Sequence, residues 1–393
     1  MAKRRNGEGS WGTKKINGIT YKRFRSPEGK DFYGKTEKAA KLKYMKWKDE
    51  NKELPKEQKT LDDVAEEWLK SKKKQVKNTT YDGYEYFVQN VLKYDKGYTI
   101  NKMQIHTITD EHVQSYIDNW AEWLPMNSIR KNKALLNQIF NFAKRKKYIL
   151  SNPLEEVKLP IEEQVTKKTR EPIFLTTEDR KKLENFADMK MKTKEYYKYG
   201  NNSKVIVFLL HTGLRISELI ALKWKNVNLN DRTIFITENA PEIKNRNKSG
   251  NKYILDHTTP KRKSSQRYVP LSDIAYDIIM FFHDNYPHSD NDLVFVSTVG
   301  TPIQRRNVNR TLANLLEIGD CSNKAATAHD LRHSFGSELI RNGVDIKVVS
   351  ELMGHKDIQT TYNIYIHIIP EQKSNAISIF NNDKKEKTKE AED

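Results

Sequence analysis

Apolar residues recur along this chain in two rhythms. Between Leu61 and Ala143 the rhythm is helical. Leu61, Val64 and Trp68 share one face, as do Tyr84, Phe87 and Val91. Val113, Ile117 and Trp120 follow, then Ile129, Leu136, Ile139, Phe140 and Ala143. Helices are predicted after Thr60, from Thr79 or Thr80, from Asp110 and after Pro125. Upstream, ITYKRFRS (Ile19–Ser26) alternates as a strand, PEGK (Pro27–Lys30) reads as a turn, and DFYG (Asp31–Gly34) as a returning strand. Thr36 then caps a helix with Ala40, Tyr44 and Trp47 on one face.

The C-terminal half mixes both rhythms. TTEDRKKLENF opens a helix with Thr176 and Asp179 at capping-box spacing. KVIVFLLHTG predicts a buried helix that Gly213 ends, and LRISELIALKW starts another. RTIFIT (Arg232–Thr237) alternates as a strand, and TPKRKSSQRYVPL (Thr259–Leu271) ends in a second. A long hairpin with Lys261, Arg262 and Lys263 near its tip is the simplest connection. A short strand is expected at Asp292–Val296. Helices are expected at Arg306–Ile318, 328–342, 345–353 and 357–368, with Gly343 as a terminator. Polar or charged linkers lie at ELPKEQK (Glu53–Lys59) and Glu162–Pro172. The pattern predicts a multidomain α+β chain. A small sheet with one helix spans 1–55, an all-α module 60–165, and a mainly α module with a small β-sheet 173–382. The charged tail 383–393 is expected to be disordered.

Charge changes the picture from architecture to partner. The formal net charge is +18 and the pI about 9.5, so a polyanion, most commonly nucleic acid, is implied. Residues 1–55 hold 16 Lys/Arg against 7 Asp/Glu. Tyr21, Arg23 and Arg25 would share one face of the first strand, where they could contact DNA; a solvated basic strand is the plain alternative. The polar side of the helix after Pro125 carries Arg130, Lys131, Lys133, Lys144, Arg145, Lys146 and Lys147, which could clamp phosphates. The single Cys321 excludes a disulfide framework and fits a reducing cytoplasm. No secretory signal follows the basic start, and no run of about 18 apolar residues predicts a membrane span.

Candidate chemistry gathers late in the chain. Arg215 sits beside an apolar run, where an unpaired guanidinium is costly; a salt bridge to Glu218 is the structural alternative. His329 and Arg332 follow at a spacing of three, then His355 and Tyr365, with Tyr362 as a rival phenol. HDLRH imitates a zinc motif, but an Arg within it and the lack of a third ligand argue against a metal. His333 and His211 suit packing roles.

The pieces HTGLRISEL, TPKRKSSQRYVPL, HDLRHSFGSELIRNG and LMGHKDIQTTYNIYIH, in this order, closely resemble the tyrosine recombinase (phage integrase) family. More loosely, the first 170 residues resemble the arm-type and core-binding DNA domains of integrases from phages and conjugative transposons. The resemblance implies site-specific cutting and rejoining of DNA, to integrate and excise a mobile element, through a 3′-phosphotyrosyl link. Tyr365 would be the nucleophile. Arg215 and Arg332 would bind the phosphate, as guanidinium forks can. His329 would act as base or proton relay, Lys261 (or Lys263) as acid on the leaving 5′-oxygen, and His355 as a further donor. No cofactor is implied. The implied partners are double-stranded DNA at core-type and arm-type sites, three further protomers in a homotetramer on two DNA sites, a DNA-bending host factor and an excisionase. The implied location is the bacterial cytoplasm, at the nucleoid. AISIF (Ala376–Phe380) could dock on a neighbouring protomer or on its own domain. A type IB topoisomerase-like enzyme and a non-catalytic DNA-binding regulator remain alternatives.

Overall fold

Four threonines among the described residues begin helices in the same way. Thr36, Thr60, Thr109 and Thr176 each accept, through the side-chain oxygen, the backbone N–H three residues on, at 3.1, 3.2, 3.3 and 3.0 Å. Each cap satisfies a donor that the first helical turn leaves orphaned. The computed structural model describes residues 9–16, 19–27, 29–50, 59–94, 99–188, 194–247, 250–258 and 266–366. It divides into two compact units, 1–169 and 170–393.

The first unit opens with three antiparallel strands, β1 (Ser10–Ile16), β2 (Ile19–Arg25) and β3 (Asp31–Gly34), in that spatial order, followed by α1 (Glu37–Glu50). Strand β1 is an addition to the predicted two. Gly12 and adjacent Lys14 and Lys15 obscure its alternation, and pairing with β2 along its whole length supplies the order that its sequence lacks. Thr36 caps α1 as expected. Phe24, Ala40 and Tyr44 form the small core, with Phe32 and Trp47 packed against it.

The helical part comprises α2 (Leu61–Lys72), α3 (Asn78–Tyr86), α4 (Asp110–Trp120) and α5 (Met126–Arg145). Helix α3 starts at Asn78 rather than Thr79 or Thr80. The chain enters it from Lys77 in an extended conformation, without a side-chain cap. It runs into a π-helical turn, Phe87–Leu92, which buries Phe87, Val88, Val91 and Leu92 together. The predicted inward residues of α2, α4 and α5 are all buried.

The second unit holds α6 (Thr177–Asn185), α7 (Lys194–Thr212) and α8 (Ile216–Ala221), then β4 (Val227–Asn228) and β5 (Thr233–Ile236). There follow β6 (Glu242–Lys244), β7 (Tyr253–Leu255), β8 (Arg267–Pro270), α9 (Asp273–Asn285) and α10 (Arg305–Ile318). Helices α11 (Ala328–Arg341), α12 (Ile346–Met353) and α13 (Ile358–Tyr365) complete it. The predicted single hairpin is corrected. Strand β5 does pair with β8, but β4 extends that sheet, and β6 and β7 form a separate two-stranded hairpin between them. Segment Asp292–Val296 makes isolated bridges, Lys223 with Leu293 and Val296 with Pro302, and no strand. Gly213 and Gly343 end their helices with positive φ, at 61° and 80°. The main core runs from Leu175 to Leu331, and a smaller one joins Ile340, Val349, Met353 and Tyr365.

Candidate active site

Two tight turns meet beneath a pair of arginines. The first is the Gly213–Arg215 turn between α7 and α8. The second follows α12 at Met353–Gly354, where Gly354 adopts φ 61°. Arg332, on α11, donates from Nη1 to the Gly213 carbonyl at 2.6 Å and from Nη2 to the Met353 carbonyl. Arg215 donates from Nη2 to the Gly354 carbonyl at 3.3 Å. The two guanidinium groups therefore tie the same two turns together from different sides. They differ in access: Arg332 is 1 % exposed, whereas the Arg215 side chain is 38 % exposed.

Glu218 balances this charge. Its Oε1 accepts from Arg215 Nη1 at 2.8 Å, and its Oε2 from the Arg215 backbone N–H at 3.0 Å. Arg267, on β8, donates to both carboxylate oxygens at 3.3 and 2.9 Å, and to the Leu352 carbonyl at 2.6 Å. Burial alone would push the Glu218 carboxyl up, but Arg267, Arg215 and Arg332 outweigh it and hold it at about 2. The salt bridge weighed as an alternative role for Arg215 is thus present, and the same guanidinium keeps an exposed side. Glu218 is expected from the sequence only as a salt-bridge partner of Arg215, and Arg267 is not expected at all. The signal for Arg267 is an arginine at an inward parity of β8, whose burial alternates from Arg267 to Pro270.

His355 follows the second turn, half-buried, with Nδ1 2.7 Å from Thr361 Oγ1. Burial, together with Arg332 and Arg215, lowers its pKa to about 3, so the ring is neutral near pH 7. His329 lies on the first turn of α11, its ring edge-on to His333 at 4.6 Å between centroids. Burial of part of its ring and the adjacent Arg332 lower its pKa also. His333 is buried between Phe174 and Tyr365, and His211 bonds Glu184 and Ser272, in keeping with packing roles.

Tyr365 is fully buried. Its hydroxyl is 3.5 Å from Met353 Sδ, and its ring packs edge-on to Phe174. Burial raises the phenol pKa despite the pull of Arg332. Tyr362 is 41 % exposed. The alternative weighed for Tyr365, a core position, therefore describes where the side chain rests: the phenol lies alongside the arginine cradle with its oxygen turned into an apolar seat. Lys261 and Lys263, AISIF (Ala376–Phe380) and the tail 383–393 lie outside the described residues. Among the described residues, no cluster of His, Cys, Asp or Glu could hold a metal ion, and no helix is long and apolar enough to cross a membrane.

In the first unit, Tyr21, Arg23 and Arg25 do share a face of β2, opposite buried Phe24. The register puts Gly12 and Tyr33 beside Arg23, and Arg23 Nη1 is 3.6 Å from Asp31 Oδ2. Lys131 is exposed. Lys133 departs from the expectation of a free phosphate-facing lysine. It is part-buried and donates to the Val157 carbonyl, because the chain after α5 folds back over that side of the helix.

Residues 173–372 match the phage integrase family, and residues 60–121 match the N-terminal SAM-like domain of phage integrases. The chain belongs to the phage integrase family and is an enzyme of the tyrosine recombinase class. It is 28 % identical to a XerC-like tyrosine recombinase of Caldanaerobacter subterraneus subsp. tengcongensis, over 90 % of this chain and 91 % of that protein. It is 29 % identical to a probable integrase of prophage ps2 in Lactococcus lactis subsp. lactis, over 81 % and 82 %. Among solved structures, it resembles the Tn1549 transposon integrase in complex with transposon right end DNA. The TM-score is 0.62 and the identity 23 %, over 78 % of this chain and 95 % of that one. A lambda integrase tetramer bound to a Holliday junction shares the fold at a TM-score of 0.57 and 15 % identity, over 92 % and 96 %.

Proposed function

We propose that this chain integrates and excises a mobile element by cutting and rejoining double-stranded DNA, with Tyr365 as nucleophile. The observation that carries this reading is the convergence of Arg215, Arg332 and His355 on two turns, with Tyr365 on the adjoining helix. In the forward step, Tyr365 Oη bonds to the scissile phosphorus and the P–O5′ bond breaks. His329 takes the phenolic proton, and Lys261 or Lys263 gives one to the departing 5′-oxygen. Arg215, the exposed fork, takes the non-bridging oxygens; Arg332 adds charge from beneath while it fixes both turns. The 3′-phosphotyrosyl link keeps the bond energy, so a 5′-hydroxyl from another strand can reverse the step.

The rest of the chain serves the DNA on this reading. The β2 face with Tyr21, Arg23 and Arg25 holds arm-type sites, and the helical module with Lys131 holds core-type sites, so 1–55, 60–165 and 173–382 act as three domains. The active form is a homotetramer on two DNA sites in a bacterial cytoplasm, assisted by a DNA-bending host factor and an excisionase. The test is covalent capture of nicked duplexes from a random-sequence library. Wild type is expected to leave a covalent protein–DNA band that Tyr365→Phe abolishes while DNA binding persists. An undiminished band in that variant overturns the assignment. Recombination between two captured sites on plasmids, rather than relaxation of any supercoiled DNA, separates a recombinase from a topoisomerase.

A further inference from the structure

We infer that Thr361 is a positioning residue that sets the tautomer of His355 and so aims its Nε2–H at the scissile phosphate. The inference rests on the catalytic reading of the site given above. Thr361 is fully buried in α13, and its Oγ1 lies 2.7 Å from His355 Nδ1. A neutral imidazole carries one proton, and the hydrogen bond at one nitrogen decides which nitrogen holds it. A hydroxyl can donate or accept here; on this inference Thr361 donates to Nδ1, so the proton stays on Nε2. The ring is then a donor on the side away from Thr361, which is the polarity a phosphate oxygen needs. The opposite tautomer would turn a lone pair towards an anion. The backbone cannot make this choice, because the backbone N–H of His355 only donates to the Ser350 carbonyl and leaves the ring free to turn.

The placement has a second effect. Thr361 and Tyr365 stand one helical turn apart on α13, both fully buried. One short helix therefore carries the nucleophile and the group that orients the phosphate donor. Any movement of α13 acts on both.

The experiment compares wild type, Thr361→Val and Thr361→Ser, each as the full chain. Valine keeps the shape and removes the hydroxyl; serine keeps the hydroxyl. Single-turnover cleavage is read on a nicked duplex of the sequence that wild type captures from a random library. Histidine 15N shifts report the His355 tautomer. Thr361→Val is expected to slow cleavage by about tenfold to a hundredfold, as loss of a group orienting a functional imidazole does, with DNA affinity unchanged and the 15N pattern shifted away from Nε2–H. Thr361→Ser is expected to restore both. In a His355→Ala background, Thr361→Val is expected to add no further loss, since it acts through that ring. Thr361→Val at the wild-type rate with an unshifted ring overturns the role of Thr361. So does an undiminished Thr361→Val effect without His355. A wild type that captures no duplex overturns the catalytic reading itself, whatever the ring shows.

Discussion

The Tyr365 hydroxyl lies in the space that a β-carbon on Gly336 would occupy, with Met353 Sδ closing the same seat. A glycine in the middle of α11 costs helix stability, about 1 kcal/mol relative to alanine. Here its missing side chain is what admits the phenol. Gly336→Ala removes that room without changing any charge. It is expected to lower stability by about 1–3 kcal/mol, as overpacking of a tight site does, and to increase solvent access to Tyr365. Urea unfolding and the titration of a fluorotyrosine at position 365 check the two halves. An unchanged midpoint with Tyr365 still shielded would contradict the seat.

Tyr365→Phe should separate chemistry from folding. Among the described residues, the hydroxyl bonds a thioether, a weak acceptor. Its removal is expected to change stability by less than about 1 kcal/mol while abolishing the covalent band. Tyr362→Phe, at an exposed position, should leave both unchanged.

Glu218 is the counter-charge for Arg215 and Arg267. Glu218→Gln keeps the shape and removes the charge, which leaves a buried guanidinium facing an amide. Breaking a buried pair in this way is expected to cost about 3–5 kcal/mol. The denaturation midpoint should fall accordingly, and cleavage with it, since Arg215 loses its anchor. A midpoint within error of wild type would show that the pair does not hold the turns.

The histidines predict acid sensitivity. His355 and His333 are held at about 3 and about 4, chiefly by burial. In the unfolded chain both titrate near 6.5. Between these values the unfolded state binds more protons, so stability is full above pH 6.5 and falls as pH drops towards 4. His355→Gln should flatten part of that slope in urea titrations at pH 7, 6 and 5. The same slope in variant and wild type would refute this source.

Much of this was legible in the sequence because it rests on local chemistry. The caps at Thr36, Thr60 and Thr176 and the inward faces of α2, α4 and α5 follow from spacing, and the order of Arg215, His329, Arg332, His355 and Tyr365 follows from the resemblance to tyrosine recombinase pieces. What escaped depends on partners far along the chain. Strand β1 acquires its order from β2, and the β6–β7 hairpin interrupts a connection that spacing alone reads as continuous. Lys133 looks like any solvated lysine until the Val157 carbonyl arrives beside it. Arg267 reads as one more basic residue until Glu218 and the Leu352 carbonyl, from separate elements, close around it. The resemblance marks Tyr365 as the candidate nucleophile, but its resting seat depends on Gly336, on another helix.

The crossed arginines carry a last consequence. Because Arg332 and Arg215 bond the carbonyls of both turns, the cationic cradle forms together with those turns when this unit folds. On the proposed catalytic reading, Arg215, Arg332 and the two turns are in place in a folded protomer, while the Tyr365 phenol is turned into its seat. On that reading, the safety catch against stray strand breakage is one helix of eight residues, Ile358 to Tyr365.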